Sequence, residues 1–141
     1  MNTLNFLDSN VWLALFWGRH IHAEKAREWF ESHGSEQFLF CRFTQLTLLS
    51  LLTTEQIMGT DVKTMADAWA LWDLVWADSR IAFLSEPDGL DGNFRKRSQL
   101  PGGSPKVWAD AYLLAFASAA GLKFITFDRA LRSQGVDVLV L

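Results

Sequence analysis

Residues 4–10, LNFLDSN, run an apolar extended stretch into an aspartate followed by small polar residues, and residues 123–131, KFITFDRAL, repeat the pattern near the other end. In both, a β-run finishes on a carboxylate, Asp8 or Asp128, just where a helix should begin. Strands of an open parallel α/β sheet send their carboxyl ends to one shared crevice, which is where such folds do chemistry. Two aspartates delivered to that edge are the start of a metal site.

Between them lies residues 104–122, SPKVWADAYLLAFASAAGL, the clearest helix of the chain. Ser104 is its expected N-cap, Pro105 its first helical residue and Gly121 its stop. Asp110 shares a face with Leu113, Leu114 and Ala117 at helical spacing, so a carboxylate sits on the stripe that should face the sheet. A carboxylate placed there needs a hydrogen bond or a cation to stay ionised. No basic residue is expected beside it on that face, although Lys106 lies one turn earlier.

Working outward, Ser9 or Asn10 is expected to cap a helix through VWLALFW (11–17) that Gly18 ends. HAEKAREWFES (22–32) reads as a second amphipathic helix with Ala23, Ala26 and Trp29 or Phe30 inward. FLF (38–40) is the second strand. FTQLTLLSLLTT (43–54) has the leucine density of a buried helix, with Thr44 and Gln45 near its start. TMADAWALWDLVWADS (64–79) is a further helix carrying Trp69, Trp72 and Trp76 on one face. IAFL (81–84) follows as a strand, then a short helix from Pro87 weakened by Gly89 and Gly92, a turn at QLPGG (99–103), and a last strand in VDVLVL (136–141). Strands alternating with helices predict one α/β domain over residues 1–141, with a mainly parallel five-stranded sheet.

Half of the 141 residues are hydrophobic, enough for a real core. The formal charge of −3 supplies no global basic field for nucleic acid, so any such binding must rest on local patches and a metal. The single cysteine, Cys41, has no intramolecular partner and reads as a core residue in a reducing compartment. There is no basic leader before the first apolar stretch and no run of about 18 apolar residues, so a cytoplasmic protein without a membrane segment is expected.

Either strand-end aspartate alone can be simply a helix cap. Asp8, Asp110 and Asp128 together are economically explained by one metal pocket. Three carboxylates within about 4 Å of each other repel by several kcal/mol per pair at an effective dielectric near 20, a cost that a divalent cation removes. An all-oxygen ligand set favours Mg2+ or Mn2+ over zinc. Phosphodiester hydrolysis suits such a centre, which activates a water and neutralises charge on the phosphate.

FLDSNVWLAL (6–15), WADAYLLAFA (108–117) and FITFDRAL (124–131), in this order and spacing, resemble the PIN-domain ribonucleases, in particular the small toxins of bacterial VapBC-type toxin–antitoxin pairs. The resemblance spans the whole chain. It implies a PIN-like three-layer fold in which helices sandwich the parallel sheet. It also implies that Asp8, Asp110 and Asp128 bind the metal and carry catalysis, with Asn10 and Thr126 as polar neighbours and a 5′-phosphate product. A homodimer, a cognate antitoxin and a higher hetero-oligomer with it are implied as well. One departure stands out: where the family commonly has a glutamate early in the helix after the second strand, CRFTQLTLL (41–49) has Gln45. A glutamine can offer a carbonyl oxygen but cannot act as a base. Glu55 is about three turns on, too far to replace it.

His20 and His22 form an HxH with no third ligand arranged beside it, which is weak grounds for zinc. Arg95, Lys96 and Arg97 are the only basic cluster; with Lys106 they are candidate RNA-phosphate contacts, and otherwise solvated surface. The tryptophan stripe, or Trp12 and Trp17, is core or a face for a second copy or partner helix. Three functions follow: a metal-dependent endoribonuclease toxin; a catalytically weakened PIN-fold module that binds RNA or a partner; and a phosphatase-like hydrolase with Asp8 as nucleophile. The last ordinarily wants an aspartate where Asn10 stands. RNA specificity is expected from a dimer groove and from the loops around Thr60 and Arg95.

Overall fold

The computed structural model describes residues 3–132 and 134–141. Strands β1 (Leu4–Leu7), β2 (Gln37–Phe40), β3 (Ile81–Phe83), β4 (Lys123–Thr126) and β5 (Val138–Val140) form one sheet in the order β3-β2-β1-β4-β5. Every neighbouring pair is parallel. Helices α1 (Ser9–Phe16), α2 (Ala23–Glu31), α3 (Arg42–Leu52), α4 (Glu55–Met58), α5 (Met65–Trp76), α6 (Leu90–Arg97) and α7 (Pro105–Ala120) make the connections.

Parallel strands buried on both faces need apolar side chains pointing both ways, and the short runs supply them. Leu7, Phe38, Phe40 and Ile125 point to one side, into a core with Trp12, Leu48, Leu52 and Trp72 from α1, α3 and α5. Phe6, Leu39 and Phe124 point to the other, against Leu113, Phe116 and Ala117 of α7 and Leu90 of α6. The result is the expected three-layer sandwich. Phe6 stands opposite Leu39 on one neighbour and Phe124 on the other. Trp12 stacks on Phe40 with ring centroids 3.8 Å apart, and both are fully buried. An aromatic ring buried in this way removes roughly 150–250 Å² from water.

Some boundaries differ from expectation. Neither Ser9 nor Asn10 caps α1; Asp8 does, its carboxylate accepting from the Ser9 N–H at 2.8 Å. The strand passes into the helix with no spare residue, so the last residue of the turn has to do the capping. The short helix starts at Leu90 instead of Pro87, because Gly89 takes a left-handed conformation (φ 83°) and Leu90 N–H closes a turn on the Pro87 carbonyl. Of the tryptophan stripe only Trp72 is buried; Trp69 and Trp76 flank it with their rings against it and remain part-exposed. The α7 reading holds at both ends: Ser104 Oγ accepts from Val107 N–H, Pro105 opens the helix, and Gly121 closes it at φ 67°.

The chain winds from β1 outward to β3, then returns to place β4 on the other side of β1. That reversal makes the carboxyl ends of β1 and β4 a topological switch point, where an open α/β sheet leaves a crevice uncovered by connecting helices. Asp8 directly follows β1, and Asp128 follows β4 with Phe127 between. Among the described residues no helix is long and apolar enough to cross a membrane.

Candidate active site

Asp8, Asp110 and Asp128 line one crevice of about 270 Å³ at this switch point, with Ser9, Asn10, Thr126, Phe127 and Lys106. Each is held by a different part of the fold. Asp8 N–H continues the sheet ladder onto the Ile125 carbonyl at 2.8 Å, which ties the first aspartate to β4. Its Oδ1 accepts from Ser9 N–H, and its Oδ2 accepts from the Thr126 hydroxyl at 2.8 Å. Thr126 Oγ1 in turn accepts the Asp128 N–H at 3.0 Å, so one threonine spans the two strand ends. Asp128 Oδ1 accepts from Ala130 N–H, as an aspartate opening a turn does. Asp110 comes from the second turn of α7, on the opposite wall.

The expectation that no basic group stands beside Asp110 is corrected. Lys106 folds one turn along α7 and places Nζ 2.7 Å from Asp110 Oδ2 and 2.7 Å from Asp128 Oδ2. The contact with Asp110 is the ordinary i,i+4 spacing of a helical ion pair, while the one with Asp128 crosses to another element and no spacing along the helix assigns it. The electrostatics follow this geometry. Loss of water around Asp8 pushes its pKa up; the Thr126 and Ser9 hydrogen bonds oppose that, and the charge of Asp110 adds to it. Lys106 and the Ala130 N–H hold the Asp128 carboxyl below the usual carboxylate range. The two carboxylates hold the Lys106 ammonium well above the ordinary lysine value.

The donor set suits a hard cation: three carboxylates and Ser9 Oγ, a buried hydroxyl in the pocket wall with no hydrogen-bond partner among the described residues. A positive charge already lies against two of the carboxylates, carried by Lys106. Among the described residues no three acid, histidine or cysteine side chains stand as a ready-made metal cage. Metal would therefore have to gather the aspartates and move the lysine.

The PIN domain profile matches residues 6–136. The chain belongs to the PIN-domain family. It is 38% identical over 133 residues to the ribonuclease VapC41 of Mycobacterium tuberculosis, covering 91% of each chain. This places it among VapC-type PIN proteins. The same fold is seen in VapBC2 of Rickettsia felis, solved bound to a promoter DNA fragment (TM-score 0.71, 11% identity, 98% of both chains). It is seen again in VapC20 of Mycobacterium tuberculosis, described as a sarcin–ricin loop cleaving toxin (TM-score 0.67, 15% identity, 94% of this chain and 95% of that one).

Within this PIN fold the remaining candidates fall into place. Gln45 is not in the crevice: it is buried and its Oε1 accepts from Arg42 at 2.6 Å. The α3 residues that line the crevice are Phe43, Thr47 and Leu51, four apart on one helix face. Of the polar residues on α3, Thr47 is the one that lines the crevice, and Gln45 lies on another face of the helix. Arg95, Lys96 and Arg97 are also outside the crevice. Arg95 pairs with Asp91 at 2.8 Å, while Arg97 donates to the Gln134 carbonyl at 2.6 Å and to Asn93 Oδ1 at 2.7 Å. They occupy the last turn of α6, where cations complement the helix dipole. Arg97 lines a neighbouring cleft that also reaches Asp110. His20 and His22 form a turn, His22 N–H donating to His20 Nδ1, and both rings rest near Phe127. Ser9, Thr47 and the bridging reach of Lys106 escaped the sequence reading. Four-residue spacing from Phe43 was the available signal for Thr47.

Proposed function

We propose that this protein is a metal-dependent endoribonuclease, the toxin of a type II toxin–antitoxin pair, which hydrolyses RNA phosphodiester bonds with Mg2+, or Mn2+ in its place. The observation that carries the reading is the convergence of Asp8, Asp110 and Asp128 at the switch point, walled by oxygen donors and accompanied by one cation. The ribonuclease name of the 38% identical relative supports the same activity. When bound, the metal supplies an activated water and charge neutralisation at the phosphate.

The chain's own residues prepare that chemistry. Asp8 is fixed by the Ser9 N–H and the Thr126 hydroxyl, so its carboxylate keeps one orientation. Asp128 is aligned by Ala130 N–H, and Asp110 rides on a rigid, well-capped helix. Asp8, held on both oxygens, is the fixed point towards which Asp110 and Asp128 would be drawn by a metal. Asn10, exposed at the rim, and Lys106, on a solvated stem, are the groups proposed to contact the RNA backbone. Binding of a cognate antitoxin is proposed from the VapC relationship, as are the homodimer and its higher assembly with antitoxin. The exposed apolar cleft between α3 and α5, lined by Leu46, Leu49, Met65 and Trp69, is the proposed face for the second copy.

The second reading, a weakened binding module, draws on the crevice having no carboxylate from α3. One experiment separates the two: cleavage of total cellular RNA with Mg2+, Mn2+ or chelator, beside Asp110→Asn. Discrete fragments that need both the metal and Asp110 are expected. Equal behaviour of wild type and variant would leave only the binding module.

A further inference from the structure

We propose that Lys106 is the resident counter-cation of the acidic crevice: its ammonium holds the ground between Asp110 and Asp128, and a divalent metal binds by displacing it. The inference rests on the nuclease reading above and concerns how the site is governed.

The lysine approaches from solvent. Its side chain is 67% exposed, against 23% for Asp110 and 29% for Asp128, so it closes the crevice from the mouth while Asp8 lies deeper. Two features show that α7 does not need a lysine there for its own sake. Lys106 is the second residue of the helix, at the positive end of the dipole, where acidic side chains are favoured and basic ones are not. Moreover, a cation four residues before its anion is the poorer order for a helical ion pair. Asp128, the second partner, belongs to another element altogether. The site and not the helix accounts for the residue.

Lys106 offsets part of the repulsion among the aspartates in the metal-free chain. It is also easily moved, because a solvated ammonium on a flexible stem has water waiting for it, and exposed pairs of this kind contribute little individually. A divalent ion brings twice the charge to the same oxygens. Its affinity is consequently lower than the three aspartates alone would set. The displaced ammonium is left at the crevice mouth, on the side from which an RNA phosphate arrives.

Calorimetric titration of Mn2+ into metal-free wild type, Lys106→Met, Lys106→Arg and Asp110→Asn tests this without reference to turnover. Lys106→Met is expected to bind Mn2+ roughly three- to tenfold more tightly, the range two weak charge pairs allow. Lys106→Arg should stay within about twofold of wild type, and Asp110→Asn should lose binding. Damage to the fold would weaken binding, so tightening is diagnostic; Lys106→Gln provides a second uncharged variant should the methionine protein not fold. Wild-type binding that is unchanged or weakened in both uncharged variants overturns the counter-cation role and leaves the nuclease reading intact. Wild-type binding that is absent, or equal in Asp110→Asn, overturns the nuclease reading itself.

Discussion

Asp8 serves two ends at once. As the residue between strand and helix it caps α1, and as a carboxylate it faces the crevice, where loss of water raises its pKa. The stability consequence has a definite sign. A carboxyl that holds its proton more tightly in the folded chain than in the unfolded one contributes its full stabilisation below the unfolded pKa, and that contribution is lost as the pH rises through the folded value. Asp8→Asn keeps a capping oxygen and removes the charge. In chelator at pH 7 the variant is therefore expected to melt a few degrees above wild type, with the difference closing as the pH falls towards about 4. Equal melting temperatures at pH 7 would mean that the buried charge costs the fold nothing. The aspartates themselves were legible in the sequence, because each ends an apolar run or interrupts an apolar face. Lys106 was legible only in part: its i,i+4 pair with Asp110 follows from helical spacing, whereas its contact with Asp128 exists only once two elements have been brought together.

At the scale of elements, α7 and α3 contrast. The ends of α7 were readable because serine, proline and glycine act locally, through their own hydrogen bonding and backbone preferences. The face of α3 was not, since its leucines surround it densely and only contact with the sheet and α7 decides which side meets the crevice. Leu48 and Leu52 take the core, which turns Phe43 and Thr47 to the site and leaves Gln45 with Arg42. This yields a paired prediction. Gln45→Glu should leave Mn2+ affinity within about twofold of wild type, whereas Thr47→Glu, adding a fourth carboxylate at the crevice, should tighten it by tenfold or more, a change of about 1.4 kcal/mol. Calorimetry on the two variants checks it, and the reverse order would show that α3 is rotated from the position described.

For the whole molecule, the outer surface matters as much as the crevice. Met65 is 76% and Trp69 46% exposed beside Leu46, a cluster of large apolar groups without cover. Because Trp69 is not in the core, Trp69→Ser is expected to keep the melting temperature nearly unchanged while shifting sedimentation from dimer to monomer at tens of micromolar. A monomeric wild type at that concentration would remove the homodimer. Taken by itself, the sequence determined the α/β class, the limits of its best helix and the three aspartates, because apolar periodicity, capping chemistry and a charge on an apolar face are local properties of the chain. Tertiary structure decided the strand order, the side of α3 that meets the aspartates, and the lysine that bridges two of them. Those depend on which elements become neighbours across many intervening residues, and no spacing along one chain records that.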